Sequence, residues 1–308
     1  GHELWRWTFP VNKLNQQTEQ LSPLSSRPTY TETENDLTVK ANKRTFIFSK
    51  KDGQLKGVSV DNRKINFANG PRFIGARRAD RSLDQFYNHD DEKAKEKDRT
   101  YSEFPDAAVF TKLDVKEDGG NLVVTANYKL GNLDKAQWTI NPSGDLALDY
   151  TYNFSGVVDL MGIRFDYPED QVISKRWLGA GPYRVWQNRI HGTQYDVWEN
   201  DYNDPIPGET FTYPEFKGYF GDVSWMNIQT KEGTISLTNE TPDTYIGVYQ
   251  PRDGRDRLLY TLPESGISVL NVIPPVRNKV NSTDLCGPSS QPKWVNGPQT
   301  GRVIFRFM

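Results

Sequence analysis

Leu146, Leu148, Tyr150, Tyr152 and Phe154 alternate with Ala147, Asp149, Thr151 and Asn153. A period of two places the first set on one face of a strand and the second set on the other. A strand patterned this way needs partners, since a sheet that is apolar on one face must bury that face against a second layer. Turn chemistry beside it supplies the next strands. Asn141-Pro-Ser-Gly144 follows Gln137-Trp-Thr-Ile140, and Glu117-Asp-Gly-Gly-Asn121 lies between Val115 and Leu122-Val-Val-Thr125; these are hairpin residues. Lys51-Asp-Gly53 joins Thr45-Phe-Ile-Phe48 to Leu55-Lys-Gly-Val-Ser-Val60, and Lys231-Glu-Gly233 joins Trp225-Met-Asn-Ile228 to Thr234-Ile-Ser-Leu237. Arg302-Val-Ile-Phe-Arg-Phe307 alternates once more.

Many short strands separated by such turns predict an all-β, antiparallel sandwich or barrel rather than βαβ units. Composition agrees, with 12% aromatics, 24 Gly and 19 Pro and no Ala-rich or Leu-rich helical stretch. One helix is expected within residues 80–99, where Leu83, Phe86 and Tyr87 have helical spacing ahead of a charged run that reads as a solvated face. A long irregular piece is expected over 273–301, which carries Pro274, Pro275, Pro288, Pro292 and Pro298, and loops of that length are usually functional or mobile. No repeat or linker divides the rest, so 36–308 reads as one domain. Residues 1–35, polar and Pro-containing after Trp7, read as an arm or linker from a preceding domain. The opening Gly1-His2-Glu3-Leu4-Trp5 has no methionine and reads as the start of a trimmed piece.

Charge and residue counts narrow the chemistry. With 38 basic against 40 acidic residues the net charge is −2, so no long-range field draws in nucleic acid or an anionic membrane, and a neutral partner is expected. No apolar run approaches the roughly 20 residues of a membrane helix. A single cysteine, Cys286, excludes an internal disulfide and a Cys-based zinc cluster. His89 stands in Tyr87-Asn-His-Asp-Asp-Glu92. That is either an acid–base pair or a solvated polar loop, and the continuing charges favour the loop. Asp201-Tyr-Asn-Asp204 opens like a calcium loop but meets Pro205 and Ile206 where a ligand and the turn glycine belong. Gly179-Ala-Gly181 runs into Pro182 rather than a third, helix-opening glycine, which excludes a dinucleotide fingerprint. No Gly-x-Ser-x-Gly elbow occurs, and no carboxylate pair stands out for glycosidic bond hydrolysis. No cofactor and no metal are expected.

One segment concentrates binding chemistry. Trp177-Leu-Gly-Ala-Gly-Pro-Tyr-Arg-Val-Trp-Gln-Asn188 runs on through Arg189, His191, Tyr195 and Trp198. Aromatic faces cover the C–H side of a pyranose while amides and guanidiniums take its hydroxyls, so a neutral carbohydrate is the expected ligand. Trp138 and Trp177, inside apolar strands, read as core. Trp186 and Trp198 have polar neighbours in sequence and read as platforms or as part of an interface, where aromatics and Arg are equally at home. The candidate residues are Tyr183, Arg184, Trp186, Asn188, Arg189, His191 and Trp198, with Trp294 added below.

Arg176-Trp-Leu-Gly-Ala-Gly-Pro182, then Trp198, then Gly218-Tyr-Phe-Gly-Asp-Val223 resemble the C-terminal domain of large bacterial β-galactosidases of glycoside hydrolase family 2. Leu37-Thr-Val-Lys and Phe46-Ile-Phe-Ser-Lys-Lys-Asp-Gly-Gln-Leu55 look like that domain's opening hairpin, Gly70-Pro-Arg-Phe-Ile-Gly-Ala-Arg77 like its following polar loop, and Leu270-Asn271 with the terminal strand like its end. The resemblance implies a large antiparallel β supersandwich of galactose-mutarotase-like type. It also implies that the catalytic glutamates belong to a separate (β/α)8 barrel of the same parent chain, with this domain closing one side of the sugar pocket. Relatives continue the Gly-Pro turn with Glu-Asn-Tyr where this chain has Tyr183-Arg184-Val185-Trp186, so sugar specificity is expected to differ there. Where relatives supply an indole to the pocket, this chain has Asp284-Leu285-Cys286, and Trp294 is the nearest substitute.

Three functions fit these features. The leading one is a non-catalytic accessory domain of a family 2 glycosidase, inactive alone, with the barrel and other domains of the parent as partners. The others are a free-standing aldose epimerase, which would need a His acid and a carboxylate base, and an independent carbohydrate-binding module. A parent that degrades polysaccharides would place the domain in the periplasm or outside the cell.

Overall fold

Two-residue patterning resolves into two antiparallel sheets. The computed structural model describes residues 6–8, 26–78, 101–202, 218–249, 263–275 and 291–308. Its strands are β1 (Thr29–Glu32), β2 (Asp36–Ala41), β3 (Arg44–Ser49), β4 (Leu55–Val60), β5 (Arg63–Ile65), β6 (Ala68–Arg78), β7 (Tyr101–Glu103), β8 (Val109–Asp118), β9 (Asn121–Lys129) and β10 (Leu133–Ile140). They continue with β11 (Leu146–Val158), β12 (Leu160–Asp166), β13 (Val172–Gly181), β14 (Gln194–Asp201), β15 (Trp225–Thr230), β16 (Gly233–Asn239), β17 (Tyr245–Val248), β18 (Ile267–Val272) and β19 (Lys293–Phe307). The first sheet runs β1-β2-β3-β4-β6-β12-β18-β17, with β5 on β4 and β7 on β6. The second runs β14-β13-β15-β16-β19-β11-β10-β9-β8. The result is a large antiparallel β supersandwich, as expected.

All four hairpins join the strands anticipated. In β11 the residues Leu146, Leu148, Tyr150 and Tyr152 are each at most 2% exposed. Across the layer β11 lies against β6. Aromatic pairs stitch the two sheets together: Phe48 tilts on Trp138 at 5.9 Å, Phe67 on Phe305 at 5.1 Å, and Phe73 on Tyr152 at 5.5 Å. Each such pair contributes about 0.5–1.5 kcal/mol beyond its buried area. Trp138 and Trp177 are core residues at 0% exposure.

Two stretches differ from the expectation. The segment Gly70 to Arg77, read as a polar loop, is strand β6 in the middle of the first sheet. Pro71 fits because the pairing of β6 with β12 shifts register between Arg164 and Asp166, and a bulge removes the need for its missing N–H. Residues 293–301, read as irregular, belong to the 15-residue strand β19. The Arg302 N–H and carbonyl bond to Thr241 and Glu240 on the side away from β11. Pro298 has the same parity, so its nitrogen also points away from β11, on a side where β16 no longer pairs. Proline is tolerated at such an edge.

Thr29–Glu32, assigned to the leading arm, adds an exposed edge strand to β2. The helix expected within 80–99, together with His89, Asp204, Asp284, Leu285 and Cys286, lies outside the described residues.

Candidate functional site

The first sheet has a second face, turned away from the sandwich core. Phe73, Ile163 and Phe165 pack into the main core, whereas Ile74, Ala76, Leu160 and Leu270 project to the opposite side. Strand alternation then assigns Arg72 and Arg164 to the same outer face as Ile74. This face has an apolar half and a polar half.

A cap formed by the Gly-Pro turn covers the apolar half. Val185, Trp186 and Tyr219 join Ile74, Ala76, Tyr101, Leu160, Leu270 and Ile273 in a small second core. Val185 and Tyr219 exchange two backbone hydrogen bonds of 2.7 Å, and the Trp186 indole meets the Tyr219 ring edge-on at 5.7 Å. Gln187 anchors the turn from the far side: its N–H donates to the Pro274 carbonyl at 3.1 Å and its Nε2 to the Gln291 carbonyl at 2.7 Å.

The structure distributes the candidate residues unevenly. Arg184 and Trp186 are each 2% exposed. The Arg184 guanidinium lies 5.8 Å from the centre of the Phe220 ring, so neither residue presents a face to solvent. Tyr183, Asn188, Arg189 and His191 stay on the outside of the turn. The Tyr183 hydroxyl donates to the His191 carbonyl at 3.2 Å, and partial burial raises its pKa while nearby Arg189 lowers it. Trp198, half-buried on β14, lies against Gly181 and donates from Nε1 to the Gln194 carbonyl at 3.2 Å. Trp294 is 72% exposed, opposite Val157 in the second sheet. Thr8 of the leading segment reaches the same end of the molecule, its hydroxyl accepting from the Tyr195 N–H at 2.6 Å.

A cleft of about 810 Å³ lies along the polar half, and sequence reasoning did not anticipate it. It is lined by Lys56, Lys64, Asn66, Asn69, Arg72, Arg164, Asp166, Tyr167, Glu169, Tyr249 and Glu264, among others. Arg72 and Arg164 stand directly opposite each other in the β6–β12 register. The Asp166 carboxylate pairs with Arg72 and accepts from Asn69 Nδ2 at 3.0 Å. Arg164 donates from Nη1 to the Glu264 carbonyl. Asp106 senses both guanidiniums: burial raises its pKa, against the Ala108 backbone hydrogen bond and the two arginines, which lower it. Behind the lining residues Tyr167 and Asn66, Glu232 accepts from the Tyr167 hydroxyl at 2.9 Å and the Asn66 N–H at 3.0 Å. No group of three or more potential metal ligands occurs among the described residues.

Comparison with known proteins follows from this geometry. Residues 40–274 match the family model for the beta galactosidase small chain. No curated protein sequence matches the chain. Among solved structures, galactose 1-epimerase from Lactobacillus acidophilus NCFM is similar over 92% of this chain and 99% of its own, at 9% identity and a TM-score of 0.46. A putative mutarotase from Salmonella typhimurium is similar over 94% and 95%, at 10% identity and a TM-score of 0.39. A copper-containing benzylamine oxidase from Hansenula polymorpha is similar over 91% and 60%, at 6% identity and a TM-score of 0.36. With its family match spanning most of the described sandwich, the chain belongs to the beta galactosidase small chain family.

Proposed function

We propose that this chain is the non-catalytic C-terminal domain of a family 2 glycosidase, which completes a sugar pocket and packs on a catalytic barrel in carbohydrate breakdown. The observation that carries this reading is the family match over residues 40–274. The organisation of the Gly-Pro turn supports it. Arg184 and Trp186 serve as internal struts, and they hold Tyr183, Asn188, Arg189 and His191 at one end of the sandwich, where a partner domain or a sugar can meet them. Rigid support of this kind favours recognition, because residues fixed beforehand lose less freedom on binding. Trp198 and Trp294 complete the proposed set of contact residues.

Aryl β-galactoside hydrolysis by the isolated chain tests the reading. No turnover is expected. Turnover that disappears when a residue of this chain is mutated would overturn it. Polarimetry with α-galactose belongs in the same experiment: accelerated mutarotation would replace the accessory role with an epimerase.

A further inference from the structure

We propose that the cleft beside Arg72 and Arg164 is a binding site for an acidic saccharide, with the two guanidiniums receiving a carboxylate or sulfate carried on the sugar. The saccharide half of this assignment rests on the proposed place of the domain in a glycosidase; the oxyanion half rests on the cleft alone.

The argument begins with register. Like charges directly opposite on neighbouring strands repel one another, and Arg72 faces Arg164 in that way. A single carboxylate, Asp166, pairs with Arg72. Among the described residues, Arg164 bonds to a backbone carbonyl, that of Glu264. The Nε atoms of both arginines are buried, with no hydrogen-bond partner among the described residues. Asp106 comes near enough to be influenced by both charges but forms an ion pair with neither. Among the described residues Asp166 pairs with Arg72 but no carboxylate pairs with Arg164, half-buried on the wall of the cleft, and an oxyanion is the ligand that satisfies a guanidinium fork.

Size and lining point to a sugar as the carrier. A volume of about 810 Å³ falls in the range of small-molecule sites. The partly exposed Tyr249 adds aromatic surface, and Asn66 and Asn69 add amides, next to the arginines. A bare inorganic ion would leave most of that surface without contact.

Calorimetric titration of the folded chain tests the assignment, using galacturonate, glucuronate, galactose 6-sulfate, inorganic sulfate and galactose as probes. At least one sugar acid or sulfated sugar is expected to bind at least tenfold more tightly than galactose and than inorganic sulfate, and to weaken as salt is raised. Carboxylate and sulfate sources are separated by which of these sugars binds. Arg164→Gln should abolish that binding, and Arg164→Lys, which keeps the charge but loses the fork, should weaken it by about tenfold. Melting curves confirm that each variant is folded, and Arg164→Lys remains informative where Arg164→Gln is not. Flat titrations with every acidic sugar would overturn the proposal, as would equal affinity for galactose or inorganic sulfate, or binding unchanged in Arg164→Lys. Failure of the accessory-domain reading is distinguishable, because hydrolysis by the isolated chain would remove that reading while leaving these titrations as they are.

Discussion

Gly181→Ala adds one methyl group at the point where the Gly-Pro turn leaves β13. The Gly181 φ lies outside the left-handed region, so alanine carries no backbone penalty there, but its Cβ would stand 2.4–2.6 Å from three atoms of the Trp198 indole. Something must move. The indole is held by a hydrogen bond from Nε1 to Gln194, and forcing extra volume into a packed site costs typically 1–3 kcal/mol. An entropy of unfolding of about 2.1 cal/mol/K per residue makes each kcal/mol roughly 1.5 °C for a chain of 308 residues. A melting temperature lower by about 3 °C is therefore expected for ~2 kcal/mol of destabilisation. Differential scanning calorimetry on a double-mutant cycle isolates the cause: with Trp198→Ala in place, the added methyl has room, and Gly181→Ala should become nearly neutral. If the substitution lowers stability equally with and without the indole, the close approach of Trp198 is not what requires glycine.

Three further outcomes follow. Arg306 donates to both Asp145 oxygens, at 2.7 and 2.9 Å; burial raises the Asp145 pKa, but Arg306, Asn141 and Arg44 outweigh it and the net shift is downward. A lowered carboxylate contributes stability that is present above its ordinary value near ~4 and is lost as pH falls through the depressed one. Arg306→Met should therefore cost roughly 2 kcal/mol near neutral pH and flatten the loss of stability at acid pH, as read from urea titrations at several pH values. Trp186→Ala opens a cavity in the second core and should cost about 3–5 kcal/mol, whereas Trp294→Ala should stay within about 0.5 kcal/mol; similar losses in chemical denaturation would contradict their burial. Gly144, at φ +80° in the β10–β11 hairpin, would place a Cβ 2.8 Å from the Ala41 carbonyl. Gly144→Ala should destabilise by about 1 kcal/mol or more in the same assay.

Local chemistry made the hairpins readable. Asn141-Pro-Ser-Gly144 and Lys231-Glu-Gly233 are decided by residues within a few positions of each other, so period and turn type suffice. Where proline and arginine interrupted the alternation, the reading failed. Pro71 sits at a bulge and Pro298 on an unpaired edge, and both conditions depend on strands far away in sequence. The cleft was illegible for the same reason, because Arg72 and Arg164 are ninety-two residues apart and meet only through sheet register. Trp186 makes the complementary case. Polar residues surround it in sequence, but the turn sends its indole inward onto Tyr219 and leaves Tyr183 and Arg189 outside. Sequence neighbours do not report spatial ones in a tight turn.

Strand β19 lies between β16 and β11 in the second sheet, and this position sets the order of assembly. Its pairing with β11 joins residues about 135–160 positions apart, from Val158↔Lys293 to Leu146↔Phe305. During synthesis the β8–β11 meander can form early, as can the β13–β16 group, but each exposes an unpaired edge until β19 is made and inserted between them. Closure of so long a loop is slow. The interval leaves two open sheet edges available to other chains, so misassembly of this domain should begin at β11 or β16 rather than at the outer strands.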